Sequence, residues 1–468
     1  MSSQQASDAM SVGGTQDVFY KRGSIGPLPT MTRAEGIWFW DDAGRSYIDA
    51  SSGPMVSSVG HCNPRVVEAM VRQARTLDYA YSRVARNGPN EAYSQRLALL
   101  AGPGFERVNL CSGGSEAVDN ALKFARQYCL ATGQSSRRKV ISLDPSYHGA
   151  TLGSLAAGGN VALHPFFDGF VVPAENVPAP LSYRTPAGGT VDSYAAACAR
   201  ALEAKIAELG SQNVLAFILE PVGGLATGAV VPPESYFRAI RQTCTRHGAF
   251  LIFDEVLCGA GRTGEFMTAH HWSDALPDII VQAKGLGAGY YPLGAMWVSA
   301  ARADRLAELT GFEFSYSYNA NPIACAVGLA VLQELEQQNL CANAVARGNE
   351  LRAGLESLKE RCPIVGDVRG KGLLFAVELV ASRESKASLP LDFLAINRVL
   401  AHGLRNGIML YARSSAGTRF GQWFMVAPPL TVTSGEIGEI LNRIDTTLRS
   451  VCSEAHRSGL LSGVRCPL

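Results

Sequence analysis

Short apolar segments alternate with helical patterns between about residues 64 and 321, and this alternation constrains the fold more than any other feature of the chain. Six segments have the length and composition of buried strands: 107–110, 139–143, 215–219, 250–253, 279–281 and 295–298. Strands that alternate with helices pair in parallel and are covered by helices on both faces. The pattern therefore predicts an α/β fold with a mostly parallel sheet.

The flanking sequence predicts the domain organisation. Residues 1–16 are small and polar, which indicates a disordered tail, and residues 17–63 contain a hairpin pattern around an Asp-Ala-Gly turn. We expect residues 64–325 to form a large domain. Residues 326–468, with a strand, glycine turn and strand at 365–378, should form a smaller α/β domain that the segment 17–63 joins. The Pro- and Gly-rich stretch 173–190 is interpreted as a surface excursion.

Composition excludes several classes of function. Lys and Arg (42) nearly balance Asp and Glu (41), so the chain lacks the basic surface that nucleic-acid binding requires. No apolar run is long enough to span a membrane, and we expect a cytoplasmic protein with no membrane partner. The eleven cysteines include no Cys-x-x-Cys pair, so no metal site is expected.

A carboxylate and a lysine follow two of the apolar segments. Asp254 and Glu255 end the run that begins at Phe250, and Lys284 follows the run at 279–281 within glycine-rich sequence. An acid pair after a strand is weak evidence alone, since metal sites, nucleotide enzymes and ordinary strand ends show the same pattern. Together with the lysine, it is what pyridoxal 5'-phosphate (PLP) needs: an aspartate at the pyridine nitrogen and an amine that forms a Schiff base with the aldehyde.

The sequence around these residues resembles a known family. Residues 254–264 read Asp-Glu-Val-x-x-Gly-x-Gly-Arg-Thr-Gly, and residues 283–286 read Ala-Lys-Gly-Leu. Both strings resemble the class III (omega) aminotransferases, which are fold type I PLP enzymes, and the resemblance runs from about residue 37 to about residue 433. It implies a large PLP-binding domain with a seven-stranded sheet flanked by helices, and a homodimer whose active sites are shared.

A glycine-rich segment between a strand and a helix is expected to bind the cofactor phosphate. Ser112, Gly113, Gly114 and Ser115 precede the helical pattern at 118–130, where free backbone N–H groups and the helix dipole attract an anion. A simple helix cap by serine would have the same sequence. In the resembling family this segment holds the PLP phosphate.

The resemblance assigns further cofactor contacts. Tyr147 should stack on the PLP ring and is counted with Lys284 and Asp254 among the catalytic residues, while His148 should lie close to Asp254. The remaining cofactor contacts are expected to come from Glu220, Val256 and, out of the neighbouring subunit, Ser317.

The implied activity is a PLP-dependent aminotransferase that moves an amino group from a primary amine or omega-amino acid to a 2-oxo acid such as pyruvate. The chemistry is ping-pong through an aldimine on Lys284, which acts as general acid and base. An arginine is expected to bind the substrate carboxylate, with Arg419 the first candidate and Arg413 the second. Tyr20 and Trp423 are predicted to line the substrate pocket.

The sequence also leaves two other functions open. A racemase, epimerase or aminomutase of the same fold would use the same lysine and aspartate but return the proton or the amine to the substrate. A non-catalytic protein that retains the fold would have no need of Lys284.

Overall fold

The computed structural model describes residues 28–159, 167, 169–186, 189–412 and 420–461. Within them the strands are β1 (Met31–Glu35), β2 (Trp38–Asp41), β3 (Ser46–Asp49), β4 (Arg107–Cys111), β5 (Lys139–Asp144), β6 (Glu175–Pro178), β7 (Val214–Leu219), β8 (Phe250–Asp254), β9 (Ile279–Gln282), β10 (Gly294–Val298), β11 (Val365–Lys371), β12 (Leu374–Leu379), β13 (Ile408–Met409), β14 (Tyr411–Ala412) and β15 (Gln422–Val426).

The helices begin with α1 (Ser52–Met55), a single irregular turn that we call the α1 turn. The others are α2 (Pro64–Thr76), α3 (Gly88–Ala101), α4 (Gly114–Ala131), α5 (Leu152–Ala157), α6 (Val191–Leu209), α7 (Glu234–His247), α8 (Ala300–Leu309), α9 (Pro322–Gln337), α10 (Leu340–Arg361), α11 (Ala395–Arg405) and α12 (Ser434–Arg457). None of the helices described here is both long and apolar enough to cross a bilayer.

Seven strands form the central sheet in the order β4-β10-β9-β8-β7-β5-β6. The pairs among β9, β8, β7, β5 and β6 are parallel, and β10 is antiparallel to both of its neighbours. The expectation of an α/β fold with a mostly parallel seven-stranded sheet is confirmed. All six predicted strands are present, each within one residue of its expected ends.

Continuous apolar runs form the middle strands because both faces of the sheet are covered. Every residue of β7, β8 and β9 is buried, as is typical of parallel strands between two helical layers. The helix α4 covers one face through buried residues three and four positions apart, among them Ala117, Ala121 and Phe124. Burial of these runs holds the ends of the strands, and the polar residues that follow them, in fixed positions.

The edge strand β6 corrects the interpretation of residues 173–190 as a surface excursion. Residues 175–178 pair in parallel with β5 and extend the sheet by one strand. Pro178 is tolerated because it ends this strand at the sheet edge, where β6 has a neighbour on one side only.

Two smaller sheets flank the central one. β1, β2, β3 and β13 form the first, in which β2 and β3 are the hairpin expected around the Asp-Ala-Gly turn. β11, β12, β15 and β14 form the second. Because β13 pairs in parallel with β3, the first sheet joins the N-terminal segment to the C-terminal part of the chain.

Candidate active site

The carboxyl ends of the central strands surround a cavity of about 720 Å³. Ligands of open α/β sheets bind at this edge, because strand ends there present side chains and helix N-termini together. Ten residues proposed from the sequence line the cavity: Ser112, Gly113, Gly114, Ser115, Tyr147, His148, Glu220, Asp254, Val256 and Lys284. Residues up to 172 positions apart in the chain therefore share one site.

Asp254 is the last residue of β8 and is 4% exposed. Its Oδ2 accepts a hydrogen bond from His148 Nδ1 at 2.8 Å, and its Oδ1 accepts from the backbone N of Val256 at 3.0 Å. The Nε2 atom of His148 is buried and makes no hydrogen bond to any residue that the structure describes. A buried carboxylate with donors on both oxygens is held in one orientation, which suits it to bind a further cationic N–H group.

Glu255, the second acid of the pair, points away from the cavity and has a structural role. It is 1% exposed and accepts from the backbone N of Thr268 (2.8 Å), the backbone N of Ala269 (2.7 Å) and Gln282 Nε2 (2.8 Å). Burial raises the pKa of Glu255 to about 7. The side chain therefore anchors the segment that follows the glycine-rich loop.

Lys284 follows β9 and has a left-handed backbone with φ of 36°. Its Nζ donates to the Pro54 carbonyl oxygen at 2.9 Å. Burial lowers the pKa of Lys284, and the negative charges of Asp254 and Glu220 partly offset that shift. A lowered pKa makes the neutral, nucleophilic amine more accessible near neutral pH.

Gly114 and Ser115 begin helix α4 at the cavity wall. A Cβ on Gly114 would lie 2.8 Å from Val256 Cγ1, so only glycine lets the start of the helix approach Val256 this closely. The Ser115 hydroxyl accepts from the backbone N of Ala150 at 3.0 Å. Because the first N–H groups of α4 have no partners within the helix, this wall can bind an anion.

Glu220 follows β7 and faces the cavity beside Tyr147. Its Oε2 accepts from the Tyr147 backbone N at 3.3 Å, and its Oε1 accepts from the Gly224 backbone N at 2.9 Å. The pKa of Glu220 is raised to about 7, chiefly by burial and partly by the charge of Asp254, against the opposing effect of His148. The Tyr147 side chain is 39% exposed.

Two sequence-predicted residues lie outside the cavity lining. Trp423 is 3% exposed within β15, and its Nε1 donates to the carbonyl oxygen of Leu225 at 2.9 Å. Leu225 lines the cavity, so Trp423 supports the wall from behind and does not line the pocket as expected. Ser317 is exposed, and its carbonyl oxygen accepts from Tyr79 Oη at 2.9 Å. The other three proposed substrate contacts, Tyr20, Arg413 and Arg419, lie outside the described residues.

Several cavity residues were missed by the sequence analysis, and most of them are apolar. They include Pro54, Val56, Leu225, Leu257, Tyr291, Tyr411 and Phe420. Apolar residues in loops have the same pattern whether they line a pocket or pack in the core, so nothing in the sequence singled them out. Across the part of the chain that the structure describes, no three His, Cys, Asp or Glu side chains are grouped to hold a metal ion.

The chain is similar to known proteins along most of its length. The family model for class-III aminotransferases matches residues 19–448. A diaminobutyrate–2-oxoglutarate transaminase of Halomonas elongata is 33% identical over 444 residues, which cover 93% of each chain. A putrescine–pyruvate aminotransferase of Pseudomonas aeruginosa is 31% identical over 435 residues, which cover 92% of each chain.

A solved structure extends the comparison to the fold. The PLP-bound amine transaminase of an uncultivated Pseudomonas species has a TM-score of 0.87 and 33% identity, over 94% of this chain and 99% of that one. The α/β architecture with its seven-stranded central sheet matches that of the fold type I PLP transaminases. The chain belongs to the class III aminotransferases, and it is a PLP-dependent transaminase.

The residues around the cavity fit the cofactor that the family implies. Lys284 supplies an amine, Asp254 supplies a buried carboxylate, and both line the same cavity. The start of α4 supplies N–H groups for a phosphate, at a wall where a Cβ on Gly114 would collide with Val256. The His148 Nε2 is buried without a hydrogen-bond partner among the described residues, and it adds a polar group beside Asp254.

Proposed function

We propose that the enzyme transfers an amino group from a primary amine or omega-amino acid to a 2-oxo acid such as pyruvate, in two half-reactions. The observation that carries the proposal is that Lys284 Nζ and the Asp254 carboxylate share one cavity with an anion-binding helix start. The relatives support this substrate range, since one is named for putrescine and pyruvate and the other for diaminobutyrate and 2-oxoglutarate.

PLP, when bound, supplies an electron-withdrawing ring that stabilises negative charge at the carbon bearing the amino group. Asp254 is proposed to accept a hydrogen bond from the ring nitrogen, with its carboxylate oriented by His148 at Oδ2 and by the Val256 backbone N at Oδ1. An ionised, hydrogen-bonded carboxylate keeps that nitrogen protonated. Lys284 is proposed to remove the proton from the substrate carbon as a neutral amine and to return it as an ammonium.

We also propose which residues contact the phosphate and the ring of the cofactor. Gly114 and Ser115, with Ser112 and Gly113 beside them, are proposed to hold the phosphate at the start of α4. The proposed contacts with the cofactor ring are Tyr147, His148, Glu220 and Val256, all of which line the cavity.

The substrate is proposed to lie against the apolar wall, with its carboxylate bound by Arg419 or, as second candidate, Arg413. The wall includes Leu225, Leu257 and Phe420. Apolar surface of this kind accepts the hydrocarbon part of an amine, while a guanidinium forms a bidentate pair with a carboxylate.

We also propose a homodimer with shared active sites, in which Ser317 reaches the cofactor phosphate of the neighbouring subunit. The exposure of Ser317 and of Tyr318, which is 61% exposed, supports a contact with a second copy. Sedimentation velocity with and without PLP tests the dimer, and a monomer with full activity would contradict it.

The transfer itself is tested by incubating the enzyme with PLP, a panel of primary amines and omega-amino acids, and pyruvate. Accumulation of alanine in proportion to amine consumed is the expected result, and Lys284→Ala is expected to form none. Loss of optical activity in an amino acid without any acceptor, or rearrangement of its amino group, would favour a racemase or aminomutase instead. No reaction and no visible absorbance after PLP is added would favour a non-catalytic protein.

A further inference from the structure

The α1 turn has an unfavourable backbone directly beside the catalytic lysine. The φ angles of Ser52, Gly53 and Met55 are 53°, 61° and 58°, all in the left-handed region. Side chains with a Cβ rarely adopt this region, and a run of such residues persists only where the surroundings hold it. The turn also carries Pro54, whose carbonyl oxygen accepts from Lys284 Nζ at 2.9 Å.

Ser52 is the residue that ties the turn to the rest of the protein. It is fully buried, and its hydroxyl donates to the carbonyl oxygen of Ala427 at 2.8 Å while accepting from Arg262 Nη2 at 3.3 Å. Arg262 is itself 2% exposed and donates to the carbonyl oxygens of Leu373 (3.2 Å) and Pro428 (2.5 Å). The contacts therefore connect the α1 turn to the glycine-rich loop after Asp254 and to the C-terminal part of the chain.

Asp49 holds the same turn from its N-terminal side. It is 1% exposed, and its Oδ1 accepts from the backbone N of Ser51 and of Gly53, each at 3.2 Å. Its Oδ2 accepts from His61 Nε2 at 2.8 Å. These bonds favour the backbone that directs the Pro54 carbonyl oxygen at Lys284.

We propose that the α1 turn positions Lys284 whenever its Nζ is not bonded to the cofactor, with Ser52 as the positioning residue and the Pro54 carbonyl oxygen as the acceptor. The inference rests on the proposed function, in which Lys284 is released in each half-reaction and must then transfer a proton. A carbonyl acceptor stabilises the ammonium form of the lysine and fixes the direction of its free electron pair once it is neutral. Burial opposes the charged form, and the carbonyl oxygen offsets part of that effect.

Other titratable groups also face Lys284. Asp254 comes from the end of β8, Glu220 from the end of β7, and His148 from the loop after β5, where it binds Asp254. None of the three contacts the Ser52 hydroxyl, so a change at Ser52 leaves these groups in place and alters the carbonyl acceptor.

The test is the rate at which cofactor-free protein captures PLP on Lys284, followed by visible absorbance from about pH 6 to pH 10. Only the neutral amine attacks the aldehyde, so the midpoint of the pH profile reports the pKa of Lys284. Ser52→Ala removes both hydroxyl contacts that hold the turn, so the Pro54 carbonyl is no longer held toward Lys284. The midpoint is expected to fall by about one pH unit, because the ammonium form of Lys284 loses its hydrogen bond to that carbonyl. Ser52→Gly is expected to give the same shift although it relieves the left-handed backbone.

Ser142→Ala is the matched control. Ser142 is a fully buried serine of β5 whose hydroxyl accepts from Asn176 Nδ2 at 2.9 Å, and it does not line the cavity. This variant is expected to lower stability without moving the midpoint. An unchanged midpoint in both Ser52 variants, or an equal shift in Ser142→Ala, would overturn the proposal.

The capture assay separates this inference from the proposed function. Capture of PLP needs Lys284 but no amine donor and no oxo acid, so it is measured whether or not the wild-type enzyme transfers an amino group. In steady-state turnover with an amine and pyruvate, Ser52→Ala is expected to lower kcat about tenfold with less than about a threefold change in KM, because it weakens one hydrogen bond to a group that acts in proton transfer. A change confined to KM would contradict a role at Lys284.

Discussion

Gly114→Ala tests whether the start of α4 and Val256 are packed as closely as the structure indicates. An added Cβ would lie 2.8 Å from Val256 Cγ1 and 3.0 Å from Cγ2, too close for either atom to stay in place. Val256 cannot move freely, because its backbone N donates to Asp254 Oδ1 at 3.0 Å. Overpacking of this kind costs about 1–3 kcal/mol.

Gly113→Ala is the control, because a Cβ there meets no atom within 4 Å. Both substitutions remove similar backbone freedom from the unfolded chain, so their difference isolates the contact with Val256. Urea denaturation without cofactor should place Gly114→Ala about 1–3 kcal/mol below Gly113→Ala at equal slope. A PLP titration should also show weaker binding by Gly114→Ala. Equal midpoints and equal affinities for the two variants would refute the packing argument.

Three further predictions concern the site. Asp254→Asn should lower the single-turnover rate by about 10- to 150-fold and weaken PLP binding, because a charged hydrogen bond is worth roughly 1.5–3 kcal/mol; an unchanged rate would contradict its role. Burial raises the pKa of Glu220 from 4.5 to about 7, so its contribution to stability is complete below the unfolded pKa and is lost as the pH rises through 7. Cofactor-free Glu220→Gln should therefore gain stability relative to wild type between about pH 5 and about pH 8 in urea denaturation, whereas a constant difference would argue against the shift. Arg419→Ala should raise the KM for pyruvate about tenfold with little effect on the KM of a simple amine, and Arg413→Ala should have a smaller effect; equal changes for both substrates would count against a carboxylate contact.

The central sheet could be predicted because its strands are buried on both faces. β7 and β8 are continuous apolar runs, so length and composition alone identified them. The edge strand β6 was missed because it is short, ends in proline and lies in Pro- and Gly-rich sequence, where turn residues outweigh strand propensity. Pairing with β5 stabilises this strand, and pairing partners are not visible in a local pattern.

The site could be predicted in part for a similar reason. Asp254 and Lys284 follow strong strands, and their positions at the sheet edge follow from the parallel order of those strands. The Pro54 carbonyl is 230 residues from Lys284 in sequence and belongs to an irregular turn that no periodicity predicts. Trp423 was expected in the pocket, but the backbone of β15 directs it into the core behind Leu225.

The most direct test of the central claim is borohydride reduction of the protein after PLP is supplied, followed by peptide mapping by mass spectrometry. Reduction fixes the cofactor to whichever amine holds it. One equivalent of label per chain is expected, located on Lys284, with much less label in Asp254→Asn at limiting PLP. Label on another lysine, or no label at saturating PLP, would contradict it.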